Sequence, residues 1–150
     1  MIFKQFLFSF ISTVGFSVFF NAPRSSVPYA GFTGGFGWIA YYILKSAGYI
    51  APLASLAGAI VVGTLGELFA RIDKKPVTAF VVPGIIPLVP GYGLYLTMIG
   101  LLNNDYTSAI QIGNETILTG GAIAMGIIIV SSMAKIFKSQ KIVALNSIKK

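Results

Sequence analysis

Residues 83–93 read PGIIPLVPGYG and decide how the rest of the chain must fold. They lie inside an apolar run from Val77 to Leu102 and contain six helix-breaking residues: Pro83, Gly84, Pro87, Pro90, Gly91 and Gly93. Each proline removes a backbone donor and crowds the carbonyl group four residues earlier. A membrane-spanning helix tolerates such a break only where the freed backbone groups find partners in protein or in a water-filled cavity. The stretch is therefore the first candidate for a functional site.

The composition around this stretch indicates an integral membrane protein. The 150 residues are 55% hydrophobic and only 10% charged, whereas soluble domains carry about 25% charged residues. Because one crossing takes about 20 residues, the chain has room for roughly four or five spans and for no sizeable soluble domain.

The residues that most enzymes need are missing from the sequence. It contains no cysteine and no histidine, which excludes disulfides, thiolate metal sites and histidine-ligated zinc. Its acidic residues are Glu67, Asp73, Asp105 and Glu115, and they form no catalytic pair along the chain. We therefore expect no enzyme activity, no catalytic residue, no metal and no cofactor. The net charge of +7 is interpreted as marking the ends of spans, and no nucleic-acid partner is expected.

The sequence predicts an all-α fold, an integral membrane helical bundle of about five transmembrane helices with a Pro/Gly-broken fourth helix. The whole chain, residues 1–150, forms a single transmembrane domain with a basic tail at residues 138–150. The first apolar run is interpreted as a span and not as a cleaved signal peptide, because a proline follows the supposed cleavage site. Residues 105–115 are predicted to form a short amphipathic lead-in capped by Asp105. The predicted spans cover about residues 1–20, 27–44, 50–70, 77–102 and 116–137.

The distribution of basic residues predicts how these spans are oriented. Five crossings place Lys4 and Lys45 on one side and the other nine of the 11 basic residues on the opposite side. Those nine are Arg24, Arg71, Lys74, Lys75, Lys135, Lys138, Lys141, Lys149 and Lys150. Because lysine and arginine are enriched on the cytoplasmic side, we expect the N-terminus outside and the C-terminus in the cytoplasm, in a bacterial cell membrane.

Two features of the second and third spans leave alternatives open. Gly31 and Gly35 permit close helix contact, either as ordinary packing or as the wall of a transport path. Glu67 is a possible coupling carboxylate, since charges inside membranes are often functional. The alternative for Glu67 is an ion pair with Arg71, one helical turn further along the chain.

The break in the fourth span predicts a second half-helix that starts at Pro90–Gly91. At about 1.5 Å per residue, the prolines lie roughly 9–20 Å from Val77, near the middle of the span. The start of such a half-helix exposes N–H groups and a positive dipole end, an arrangement that transporters use to bind substrate carboxylates. The alternative is a helix that is merely kinked. The predicted substrate-binding residues are Pro83, Gly84, Pro87, Pro90, Gly91, Tyr92, Gly93, Tyr95 and Thr97.

Three stretches of the sequence resemble the threonine/serine exporter family, and specifically its small YjjB-like membrane subunit. They are VVPGIIPLVPGYGLY at residues 81–95, GFSVFFNAPR at residues 15–24 and GTLGE at residues 63–67. The order and length of the segments match over nearly the whole chain. The resemblance implies a transporter subunit that exports small carboxylates, either threonine and serine or dicarboxylates such as succinate. It also implies a larger YjjP-like membrane subunit as partner in the lipid bilayer.

The resemblance does not identify which residues of this subunit bind substrate, so the residues named above rest on backbone chemistry. Formation of a homo-oligomer is left open by the sequence. The alternative function is that of a structural or assembly membrane protein with no substrate site of its own.

Overall fold

The computed structural model of the protein describes the backbone of residues 1–148 and the side chains of residues 1–136. Within those residues the chain forms helices throughout, which confirms the predicted all-α membrane bundle. The helices are α1 (Ile2–Phe19), α2 (Val27–Ser46), α3 (Ala51–Asp73), α4 (Thr78–Ile85), a 3-10 turn (Ile86–Leu88), α5 (Gly91–Leu102) and α6 (Tyr106–Ile148).

Three of the described helices are long and apolar enough to cross a membrane: α1, α3 and α6 up to Ile136. The pair formed by Thr78–Leu88 and Gly91–Leu102 passes the same criterion jointly but is bent by 47°, so it is either a broken span or a re-entrant loop. A broken fourth segment was predicted from its prolines, and α5 begins at Gly91 as expected.

α2 is not among the helices that meet this criterion, although it has 20 residues. Its glycines and aromatic residues dilute its apolar character. α2 packs against α1, α3 and α4, while Phe32, Phe36 and Ile43 on its other face are exposed. The fifth crossing, and with it the orientation of the termini, stays a prediction.

Small residues bring α2 close to both of its long neighbours. A Cβ added at Gly31 would lie 2.7 Å from the Phe10 ring, and one at Gly35 would lie 2.6 Å from the Phe6 ring, both on α1. A Cβ at Gly58 on α3 would lie 2.9 Å from the Gly37 carbonyl oxygen. Gly31 and Gly35 therefore pack against α1, in keeping with the packing alternative for this pair.

α3 uses a second row of small residues to contact α6. A Cβ added at Gly126 would lie 2.8 Å from Ala59, and one at Gly63 would lie 3.1 Å from Val130. Because the residue numbers of the contacting pairs rise together along the two helices, α3 and α6 run parallel. Gly126 is therefore a contact point between helices that are far apart in sequence.

α4 runs antiparallel to α3, which fixes the level of the break. The neighbouring pairs are Val81–Gly66, Gly84–Val62 and Leu88–Gly58. Continuing this register places Pro90 level with Leu56, only about 8 Å from the first residue of α3. Pro83 and Gly84 therefore lie level with the middle of α3. Pro90 lies between that level and the turn at residues 47–50, which joins α2 to α3.

At the opposite end of the bundle, hydrogen bonds join the loop between α1 and α2 to the end of α3. The hydroxyl groups of Ser25 and Ser26 donate to Asp73 Oδ2 at 3.1 and 2.6 Å. Ser26 is fully buried. This end of the bundle is therefore closed by side-chain contacts.

α6 begins directly after Asp105, as the predicted cap requires. The Ser108 N–H donates to Asp105 Oδ1 at 3.2 Å, and hydrogen bonds from Ser108 lower the pKa of the Asp105 carboxyl. The predicted lead-in at residues 105–115 is not a separate element, because α6 continues without interruption from Tyr106. Glu115 accordingly lies on a membrane-type helix and not in a loop.

Candidate functional site

A cavity of about 420 Å³ lies between the break and the ends of α2 and α3. Small-molecule sites typically occupy about 300–1,000 Å³, so this volume suits a small metabolite. The residues that line it are Trp38, Tyr41, Lys45, Ala51, Ser55, Pro87, Leu88, Val89, Pro90, Tyr92, Gly93, Leu96, Ile112, Glu115, Thr116 and Thr119.

Helical periodicity explains which side chains of the long helices reach the cavity. On α6, Ile112, Glu115, Thr116 and Thr119 follow the spacing i, i+3, i+4 and i+7, which places them on one helix face. On α2, Trp38, Tyr41 and Lys45 do the same at i, i+3 and i+7. Each helix therefore presents a single face to the cavity.

The start of α5 supplies backbone donors to the cavity wall. The Gly91 N–H donates to the Val89 carbonyl oxygen at 2.8 Å, and the Leu94 N–H donates to the Pro90 carbonyl oxygen at 3.2 Å. The N–H groups of Tyr92 and Gly93 have no acceptor within the part of the chain that the structure describes. Both residues line the cavity, so the start of α5, which carries two unpaired donors and the positive end of the helix dipole, forms part of its wall.

Gly93 allows this helix start to lie directly against α6. A Cβ added at Gly93 would overlap the Thr116 hydroxyl oxygen. That hydroxyl group is held in place because it donates to the Ile112 carbonyl oxygen at 2.7 Å. A side chain at Gly93 would therefore push α5 away from α6 and change the shape of the cavity.

Ser55 contributes a buried hydroxyl group without a partner. Its side chain is fully buried, and its Oγ atom is the one buried side-chain polar atom without a hydrogen bond among residues 1–136. Thr116 and Thr119, which line the same cavity, each donate to the carbonyl oxygen four residues earlier at 2.7 Å. An unpaired buried hydroxyl group costs about 1–3 kcal/mol, so a hydrogen-bond partner at the Ser55 hydroxyl would be stabilising.

Two opposite charges lie on different walls of the cavity. Lys45 comes from the end of α2 and Glu115 from the first third of α6. They form no ion pair with each other, and within residues 1–136 the ion pair that the structure contains joins Glu67 to Arg71. Both charged groups of the cavity are therefore free to contact a ligand.

Four of the nine predicted substrate-binding residues line the cavity: Pro87, Pro90, Tyr92 and Gly93. The other five do not line it. Pro83 is fully buried in the bundle, and Gly84 packs against Thr33 and Val62. Both therefore belong to the packed part of the segment.

The remaining three predicted residues lie on α5 away from the cavity. Gly91 is exposed, with no atom within 4 Å of the position that a Cβ would take. Tyr95 is exposed as well. The Thr97 hydroxyl group donates to the Gly93 carbonyl oxygen at 2.8 Å, and its methyl group faces Gly113 on α6.

Glu67 also lies outside the cavity. Its carboxylate is 3.8 Å from the Arg71 guanidinium, the i,i+4 alternative considered from the sequence. Both residues line a separate groove between α3 and α6, together with apolar side chains such as Leu68 and Met133.

Sequence reasoning missed the polar groups that α2, α3 and α6 bring to the cavity. Lys45 was counted only as a flanking charge, and Glu115 was assigned to a loop because the polar residues 103–115 suggested one. The available signal was the helical spacing of Ile112, Glu115, Thr116 and Thr119. Ser55 gave no signal, since nothing in the sequence distinguishes it from a packed small residue.

The fold and the cavity together define a class of protein: a polytopic helical membrane protein whose broken helix starts at a cavity with two charged residues in its lining, as in transporters. The comparison with family models narrows this class, because the model described as "Threonine/Serine exporter, ThrE" matches residues 5–133. The chain belongs to the threonine/serine exporter family, and an exporter-type transport role follows from that membership. No solved structure matches the chain.

Proposed function

We propose that the chain is the small membrane subunit of a threonine/serine exporter-type transporter. It acts in the bacterial cell membrane with a larger YjjP-like subunit and moves small carboxylate metabolites outwards. The cargo is an amino acid such as threonine or serine, or a dicarboxylate such as succinate. In the proposed orientation the N-terminus lies outside, so the cavity at the turn at residues 47–50 lies in the outer part of the membrane.

One observation carries the proposal that this subunit contacts the cargo itself. Tyr92 and Gly93, whose N–H groups are unpaired, line the same cavity as Lys45. A carboxylate in that position would gain charge-assisted hydrogen bonds, which are about twice as strong as neutral ones. A cavity that held only apolar ligands would not need these polar groups.

A second candidate function is structural support of the partner without a substrate site. The packing between α2 and α3 favours it, because most of the small residues of the chain serve helix contacts. Under this alternative, changes in the cavity would alter assembly with the partner and not the rate of export by each assembled complex.

The direct test is efflux of labelled threonine, serine and succinate from cells that express the chain with and without its partner. We expect efflux of at least one compound only when both chains are present. Absence of efflux for all three compounds in the paired cells would overturn the proposed function.

Gly93→Ala tests whether this subunit forms part of the path. The added methyl group overlaps the Thr116 hydroxyl oxygen, so we expect efflux by each assembled complex to fall about three- to tenfold. The matched control is Gly120→Ala on α6, where no atom lies within 4 Å of the new methyl group. Equal efflux by the two variants at equal assembly would favour the structural alternative.

A further inference from the structure

We infer that Glu115 is the specificity-determining residue of the cavity, which admits carboxylates that also carry an ammonium group and disfavours dicarboxylates. This inference rests on the proposed function, since it concerns the same site. It distinguishes between amino acids and dicarboxylates, the two substrate classes that the proposed function includes.

The cavity carries one positive and one negative side chain. Among the described residues that line it, Lys45 and Glu115 are the charged ones, and they are not paired with each other. The N–H groups of Tyr92 and Gly93 add partial positive charge at the start of α5. The lining therefore has two positive elements and one negative element for a bound ligand.

A carboxylate binds best where the donors are, at the start of α5 and at Lys45. Glu115 lies on the α6 face that contacts that helix start, one residue before Thr116, which packs against Gly93. The inference therefore places the ligand group next to the bound carboxylate opposite the Glu115 carboxylate. An ammonium group there gains an ion pair, whereas a second carboxylate meets a like charge at short range.

Ser55 gives independent support that a polar ligand occupies the cavity. Its hydroxyl group is fully buried, has no partner among residues 1–136 and lies on the wall formed by α3. A third polar group on the ligand would give this hydroxyl group a hydrogen-bond partner, which neither the apolar lining nor the helix packing provides.

The test compares two cargo molecules that differ only in the group that Glu115 is proposed to bind. Serine and glycerate have the same carbon chain, carboxylate and terminal hydroxyl group, but glycerate carries a hydroxyl group in place of the ammonium group. Vesicles that contain both subunits are loaded with labelled serine, glycerate or succinate, and efflux is measured for wild type and Glu115→Gln.

We expect the wild type to release serine at least tenfold faster than glycerate or succinate. Glu115→Gln should reduce serine efflux about tenfold and leave glycerate efflux within twofold, so that the ratio of the two rates collapses. Glu115→Asp retains the carboxylate and should keep most of the ratio, which separates lost charge from lost folding. Asp105→Asn is the control, because it removes a carboxylate at the start of the same helix and asparagine caps helices as well as aspartate does.

Three outcomes overturn the inference. The first is a serine-to-glycerate ratio that Glu115→Gln leaves unchanged. The second is loss of proton dependence in that variant with selectivity intact, which would make Glu115 a coupling residue. In both cases the proposed function stands, because the wild type still exports serine. The third is absence of efflux for all three compounds in the wild type, which overturns the proposed function and the inference together.

Discussion

The two halves of the broken segment have similar compositions and opposite surroundings. In the first half, Phe80 and Pro83 are fully buried among α2 and α3, and Leu88 belongs to the hydrophobic core. In the second half, α5 has no buried residue and packs mainly against α6. The prolines and glycines of the segment therefore do two jobs: the early ones permit close packing, and the late ones form a cavity wall. A run of helix breakers in a membrane protein is not one functional unit.

The largest expected effect comes from placing the same side chain in both halves. Gly84→Leu adds a side chain where even a Cβ would lie 2.9 Å from Thr33 and 3.2 Å from Val62. Overpacking of this kind costs about 1–3 kcal/mol or more, so we expect little monodisperse protein in detergent. Gly91→Leu meets no atom within 4 Å of its Cβ and should give wild-type yield. Equal yields of the two variants, measured by size-exclusion chromatography, would contradict the difference in packing between the two halves.

A smaller effect is expected from removing one proline from each half. Pro90→Ala lets α5 extend backwards, so that the N–H groups of Tyr92 and Gly93 find backbone acceptors and leave the cavity wall. We expect efflux to fall about tenfold with an unchanged amount of protein in the membrane. Pro83→Ala changes a residue that does not line the cavity, so its efflux per folded molecule should match wild type. Similar losses of efflux in both variants would show that the early and late prolines of the segment contribute to transport together.

The smallest effect concerns Glu67, which lies outside the cavity, in contrast to Glu115. Its ion pair with Arg71 is 3.8 Å long, and the Arg71 side chain is 63% exposed, so it contributes at most about 0.5 kcal/mol. Glu67→Gln should shift the unfolding midpoint in detergent only slightly and leave any dependence of efflux on a proton gradient unchanged. Loss of proton dependence would instead make Glu67 the coupling carboxylate.

Much of the fold could be predicted from the sequence because apolar runs and helix breakers act locally. The start of α5 at Gly91 and the cap at Asp105 are set by residues next to them in the chain, and the structure has both. The level of the break relative to α3 is of another kind, because it depends on the register between α4 and α3. That register is fixed by contacts such as Gly84–Val62, which no local pattern shows.

The candidate site was less predictable than the fold for the same reason. Pro90, Tyr92 and Gly93 belong to one short stretch and were predicted together. Lys45, Ser55 and Glu115 reach the cavity from three other helices, and their meeting depends on the packing of the whole bundle. A single sequence contains no record of such contacts.

The distribution of the cavity wall along the chain has a consequence for biosynthesis. Its residues run from Trp38 to Thr119, and α6 supplies the last of them. Because a chain is synthesised from its N-terminus, the earlier helices are made while the α6 wall is still absent. The cavity is complete only after α6 docks on α3 at Ala59 and Gly63. A nascent chain that stalls before α6 therefore holds an apolar bundle without a complete cavity.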